Sequence, residues 1–215
     1  ANIRPAQTQY LSAHKLAFKN KKVLYIFPVI DWSFRFQRPQ HIALNLKKFG
    51  YEIVYFKTDF VVSKKPGFSA VMLEENVLNV TLFAPSKFNI YKHILSQSEC
   101  DFLLQSIGEF EKFYRVVKRI AIVDHPFWFK PANKLSGAFT VYDCMDYHQG
   151  FGDSDSGSQE EETLKESNLL LLSSQKLYDS FSHHNQNALL IRNACQFDFF
   201  NEKPKEIVSF EKPAI

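Results

Sequence analysis

Short apolar runs alternate along this chain with longer stretches of helical period, and that alternation excludes most architectures. The runs are Val23–Val29, Glu52–Lys57, Val77–Phe83, Ile120–Asp124, Phe139–Tyr142, Leu169–Leu172 and Ala188–Ile191. Each is short and largely apolar, and the first is rich in β-branched residues, so each is expected to be a buried strand. Between the first two, Pro39–Phe49 reads as a helix. Pro39 suits a first turn, Ile42, Ala43, Leu46 and Phe49 share a face, and Gly50 is placed to end it. The chain therefore opens β-α-β, with parallel pairing expected.

Ser98 through Arg119 reads as a long helix. Ser98 and Asp101 stand at capping-box spacing, and Leu103, Ile107, Phe110, Tyr114 and Val117 form the apolar stripe. A further helix should be capped near Ser173–Ser174. Gly150–Glu162 reads as an acidic, Gly/Ser-rich mobile loop running into a helix. About seven strands interleaved with helices define an α/β fold with a doubly wound, mostly parallel, Rossmann-like sheet. Residues 1–21 read as a tail or partial helix, 22–200 as the domain, and 201–215, with Pro204 and Pro213, as the start of a linker.

Apolar residues make up 45% of the 215-residue chain and charged residues 23%, which allows a sizeable single core. The 22 phenylalanines suit an aromatic core, with a sugar- or lipid-lining groove as the other use. A net charge of +3 is too small to point to nucleic acid. The Lys19–Lys22 and Lys64–Lys65 clusters read as solvated surface, with weak attraction to an anionic membrane as the second reading. Cys100, Cys144 and Cys195 are odd in number and widely spaced, against both a disulfide framework and a zinc site and in keeping with a reducing cytoplasm. The longest apolar run is eight residues, far below the ~20 a spanning helix needs. No signal peptide is visible.

In an open α/β sheet, ligands bind beyond the carboxyl ends of the strands. Four loops qualify. The first, DWSFRFQRPQ, gathers Asp31, Trp32, Arg35, Gln37, Arg38 and Gln40 before a helix start, where free N–H groups and two arginines suit a phosphate or diphosphate. The other reading makes Trp32, Phe34 and Phe36 packing residues and the arginines partners of surface carboxylates. GxGxxG and GxxxxGK[ST] are both absent, against dinucleotide and P-loop enzymes. The second loop, DHPFW, carries His125, structural or functional with equal claim. The third, DCMDYHQGF, carries Asp143 and Asp146, which either orient hydroxyls and act as acid or base, or cap a turn. In the fourth, RNA, Asn193 is favoured to shape the turn. His183–His184 do not make a metal motif, and HExxH and GxSxG do not occur. No metal and no cofactor are expected.

VLYIFPVIDWSFRFQRPQHIALNLKKFGYEIVYF resembles the opening of bacterial GT-B glycosyltransferases of the "group 1" type, one branch of which has D-W-x-x-R-x-Q-R-P-Q after its first strand. VYDCMDYHQGF, LLLLSSQKLYDSF and IRNACQFDFF resemble, in order, that branch's later segments, so the likeness runs over about residues 22–200. The glycine pair often found in the first loop of relatives is absent. The resemblance implies an N-terminal, acceptor-side half of a two-domain enzyme, with the donor half absent from these residues and the isolated domain inactive. It implies metal-independent, retaining transfer of a hexosyl group from a nucleotide-sugar to a glycan or lipid-linked acceptor. The setting it implies is cell-surface polysaccharide synthesis in the cytoplasm, with peripheral association at the inner membrane face. By position it gives His125 to the donor sugar and turns the Asp31–Arg38 loop to the donor diphosphate or the acceptor; from the residues themselves, Arg35 and Arg38 are expected to meet phosphate charge, and Asp143 or Asp146 acceptor hydroxyls. A non-catalytic carbohydrate- or partner-binding α/β module is the alternative, and a small-molecule hydrolase using His125 and the aspartates a weaker third.

Overall fold

A computed structural model describes residues 18, 21–148, 156–195 and 201. Nine strands form one sheet: β1 Lys22–Phe27, β2 Tyr51–Phe56, β3 Val61–Val62, β4 Phe68–Glu74, β5 Val77–Ala84, β6 Arg119–Val123, β7 Phe139–Cys144, β8 Leu169–Leu172 and β9 Ala188–Leu190. Among the described residues the α-helices are α1 Arg38–Lys47, α2 Gln97–Tyr114, α3 Phe129–Asn133, α4 Ser156–Glu166 and α5 Gln175–Phe181. The strand order is β3-β5-β2-β1-β6-β7-β8-β9, all neighbours parallel, with β4 added antiparallel to β5. This is the doubly wound α/β sheet expected from the sequence.

The apolar runs are unbroken because both faces of the central strands are covered. Leu24, Ile26, Ile53, Tyr55 and Ile122 pack beneath Ala43 of α1. Val23, Tyr25, Phe27, Val54 and Phe56 face the other way, against Leu103, Ile107 and Phe110 of α2. Most of the aromatic surplus goes here: Phe27 stacks on Phe56 at 4.5 Å, and Tyr25, Phe110 and Trp128 close around them. The Trp128 indole N–H donates to the Pro28 carbonyl at 3.0 Å, so its one polar atom is satisfied inside the core.

All seven expected strands are present, and two were missed. β3 is two residues long, and Phe68–Glu74 is apolar in both alternations, so it shows no period of two. It forms a hairpin with β5 across Asn76, whose φ of 63° is the left-handed turn conformation. The second helix is shorter than expected. It starts one residue before Ser98, capped by Ser96, whose side chain accepts from the Glu99 N–H while Glu99 accepts from the Ser96 N–H at 2.8 Å. It stops at Tyr114, because Arg115 turns left-handed at φ 57°, and this leaves Val117 outside the helix and exposed. In α1 the chain leaves the helix after Lys47, so Phe49 is exposed rather than on the buried face, and Gly50 takes φ 82° beyond it. Gly150–Glu162 is helical from Ser156, and 149–155 lie outside the described residues. So do the N-terminal tail, apart from Phe18 and Lys21, and the expected linker beyond Asn201.

Candidate functional site

The carboxyl ends of β1, β5, β6 and β7 converge, and their loops build two clusters. The first lies under the start of α1. Arg38, at the first helical position, grips Asp143 at the end of β7 with both sides of its guanidinium: Nε donates to Oδ2 at 2.7 Å and Nη2 to Oδ1 at 2.9 Å. Its Nη1 reaches the Arg192 carbonyl at 3.4 Å and the Asn193 Oδ1 at 3.3 Å, beyond β9. One side chain thus ties together three of the four loops singled out in the sequence. Bidentate geometry suits arginine and not lysine.

Asp124 lies beside this pair. Val123 and Tyr142 are in register, so the residues that follow them, Asp124 just past β6 and Asp143 in β7, stand side by side. Asp124 is completely buried, and neither of its oxygens has a hydrogen-bond partner. Burial lifts both carboxyls above the usual carboxylate range, and repulsion from Asp143 pushes Asp124 further up, while Arg38 opposes the rise at both. The Arg38 guanidinium bonds directly to Asp143, so of the two carboxyls it is Asp124 that is held more strongly toward its protonated form.

The second cluster is formed on the opposite side, since consecutive residues of extended chain point apart. His125 is nearly buried. Its Nδ1 accepts from the Phe127 N–H at 3.2 Å, so the ring proton sits on Nε2 and makes that atom a donor. Burial, with the neighbouring His148 second, lowers its pKa to about 3, so the ring is neutral at physiological pH. The His148 ring packs edge-on against it at 4.7 Å and the Tyr91 ring at 5.4 Å. The Tyr91 hydroxyl donates to the Val29 carbonyl at 2.6 Å, pinning the loop after β5 to the loop after β1.

The remaining first-loop residues divide by task. Asp31 accepts from the Thr58 N–H at 2.9 Å and joins the loops after β1 and β2. Trp32 packs edge-on against Tyr55 at 5.1 Å. Gln37 precedes α1, with its N–H donating to the Gln40 Oε1 at 3.1 Å. Buried Gln40 also donates to the carbonyls of Trp32 and Arg35, at 3.2 and 2.7 Å, and so sets the shape of the loop. Arg35 is exposed and lies over the Phe34 ring. Asp146 is exposed, beyond β7 and apart from the Arg38 pair. Asp124, Tyr91 and His148 were not among the sequence candidates. Asp124 and His148 sit inside quoted loop motifs beside residues that drew attention, whereas nothing in the sequence marks Tyr91. Among the described residues no group of three or more His, Cys, Asp or Glu could hold a metal ion, and no helix is long and apolar enough to cross a membrane.

No protein-family model and no curated protein sequence matches the chain. Solved structures do match. A sucrose-phosphate synthase from Thermosynechococcus elongatus superposes with a TM-score of 0.55 at 9% identity, over 80% of this chain and 48% of that one. An alpha,alpha-trehalose 6-phosphate synthase from Burkholderia multivorans gives a TM-score of 0.43 at 8% identity over 76% of this chain and 43% of its own. A UDP-forming alpha,alpha-trehalose-phosphate synthase from Burkholderia vietnamiensis gives 0.45 at 10% over 80% and 43%. At such identity the first likeness is one of fold: this chain has the Rossmann-like α/β fold of part of the sucrose-phosphate synthase. It spans about half the length of that protein.

Proposed function

We propose that this chain is the acceptor-side half of a two-domain glycosyltransferase, one that moves a hexosyl group from a nucleotide-sugar to a glycan or lipid-linked acceptor in cell-surface polysaccharide synthesis. The observation that carries this reading is His125: a neutral imidazole with Nε2–H as donor, where four strand-end loops meet. The fold shared with part of a sucrose-phosphate synthase supports it. A neutral donor suits a sugar hydroxyl, because it forms a hydrogen bond without placing a charge beside a developing oxocarbenium ion.

Arg35 and Arg38 divide in this reading. Arg35 is free to meet phosphate charge. Arg38 is committed to Asp143 and acts by holding the loops, with Asn193, in place. Asp143 is thereby withdrawn from acid–base work, and Asp146, with an exposed carboxylate, is the residue for acceptor hydroxyls. Asp31, Trp32 and Gln37 shape the first loop. Donor binding falls mainly to a second domain outside these residues. Transfer is retaining and uses no metal or cofactor, in the cytoplasm at the inner face of the membrane.

Calorimetric titration with nucleotide-sugars, on this chain and on the full-length protein, tests the division of labour. Binding by the full-length protein alone is expected, and tight binding by these 215 residues would move the donor site here and defeat it. His125→Gln in the full-length protein should lower kcat by roughly 100-fold, the usual cost of one pre-organised donor. Unchanged turnover in this variant would remove His125 from the site, and sugar binding with no turnover by the full-length wild type would favour a non-catalytic carbohydrate-binding module.

A further inference from the structure

The strand-end surface is electrically lopsided. The loops after β1, β2, β3 and β5, four neighbouring parallel strands, carry Arg35, Lys57, Lys64, Lys65, Lys87 and Lys92 against Asp31 and Asp59. None of these six cations is paired with a carboxylate among the described residues. The ion pairs there use Lys21, Arg38, Lys47, His93, Arg119 and Lys165 instead. Beyond β7 the sign reverses, with Asp146, Glu161 and Glu162.

These loops form one continuous rim. β3 pairs with the end of β5, and the Ser63 N–H donates to the Ala84 carbonyl at 2.9 Å, which brings Lys64 and Lys65 alongside the segment leading to Lys87. Phe60 packs edge-on against Phe88 at 5.2 Å, locking the loop after β2 to the loop after β5. Tyr91 joins that loop both to the loop after β1 and to His125. Exposed aromatic rings stand among the cations: Phe34, with Arg35 over one face, is 66% exposed, and Phe36 and Tyr91 are 52% exposed each.

Cations without carboxylate partners, interleaved with exposed aromatic rings, suit a ligand carrying negative charges on a framework with apolar faces. A sugar ring presents C–H groups of partial positive charge to the electron-rich aromatic face. Carboxylate or phosphate substituents then meet the lysines and Arg35. We propose that this rim binds an anionic saccharide, a glycan bearing carboxylate or phosphate groups, as the acceptor. The inference rests on the acceptor-side reading given above and names the acceptor's chemical class.

The test uses the full-length protein, with tetragalacturonate as the anionic probe and maltotetraose as the neutral one, by calorimetry. The anionic probe should bind at least about ten-fold more tightly at low salt, and the advantage should shrink as ionic strength rises past the point where the Debye length is ~10 Å. The triple variant Lys64→Gln, Lys65→Gln, Lys87→Gln should lose most of that preference. Its circular dichroism should match the wild type, since all three side chains are exposed. If folding is disturbed, Lys87→Glu alone serves, with the preference reduced several-fold. Equal affinity for the two probes overturns the proposal, as does an undiminished preference in the variants. Sedimentation with phosphatidylglycerol vesicles that the triple variant abolishes, without preference for tetragalacturonate, assigns the rim to lipid and also overturns it. Nucleotide-sugar turnover by the wild-type protein is measured in parallel. Turnover without the anionic preference defeats this inference and leaves the proposed function standing.

Discussion

A single arginine holds the carboxyl end of the sheet together, and its removal should be costly. Asp143 has no solvent exposure, and Arg38 supplies the only hydrogen bonds described for its carboxylate. Arg38→Ala would strand a buried charge, so we expect a loss of about 3 kcal/mol in urea unfolding. A loss within experimental error would mean that Asp143 takes up a proton at little cost. Asp124 acts in the opposite sense. Its folded pKa is raised, so the native state binds the proton more tightly than the unfolded chain does. The protein therefore loses stability as pH rises above ordinary aspartate titration, until the folded pKa is passed. Asp124→Asn keeps the shape and removes the titration, so it should raise stability at pH 7 and leave it little changed near pH 4. A destabilised Asp124→Asn at pH 7 would show that the ionised carboxylate is needed. His125 has the reverse sign. Its folded pKa falls to about 3, below the ordinary value for histidine, so stability is lost as pH falls below about 6.5. The slope due to this ring approaches about 1.4 kcal/mol per pH unit. His125→Gln should flatten the stability curve between pH 6 and 4, as read by denaturant midpoints at each pH, and an unchanged slope would place the proton uptake elsewhere.

Among the elements, α2 shows how a sequence offers two starts and the structure takes one. Ser96–Glu99 and Ser98–Asp101 overlap at the same spacing. The first pair wins because the glutamate is long enough to reach back to the Ser96 N–H, and because a start there puts Cys100, Leu103 and Ile107 in phase on the buried face. Ser96→Ala should cost about 1 kcal/mol, while Ser98→Ala should be near neutral. Equal effects would mean that the cap is shared. The helix end was illegible for a different reason. Its apolar stripe runs on to Val117, and nothing in the arginine at 115 announces a left-handed residue. The same reasoning separates what was legible elsewhere. Strands buried on both faces, such as Val23–Phe27, advertise themselves by composition. β4, a peripheral hairpin strand, does not. In the site, the chemistry-bearing loops could be found from their position after strands, but the Arg38–Asp143 contact spans 105 residues of sequence and has no local signal. Asp124 is conspicuous only once the register of β6 and β7 sets it beside a second carboxyl.

At the scale of the whole molecule, protection should fall from the middle of the sheet toward both edges. β1 lies between β2 and β6, and its residues Tyr25, Ile26 and Phe27 are completely buried, covered by α1 on one face and α2 on the other. β9 is three residues long and, among the described residues, pairs on one side only, and Leu189 is exposed at 51%. β3 pairs on one side through two exposed valines. Local opening is easiest where few apolar contacts break, so the slowest amides should belong to Leu24–Phe27, Ile53–Phe56 and Ala121–Val123, which exchange only on global unfolding. The amides of β9 should exchange several orders of magnitude faster. Arg38 adds a specific expectation, because its Nη1 links the start of α1 to the Arg192 carbonyl and the Asn193 side chain. Arg38→Lys keeps the charge but cannot hold Asp143 on both oxygens while reaching Arg192. Exchange in 188–193 should accelerate in this variant while β1 stays protected, as read by hydrogen-exchange mass spectrometry. Uniform acceleration across the sheet would instead mean that Arg38 stabilises the fold as a whole and does not couple the first loop to the chain leaving β9.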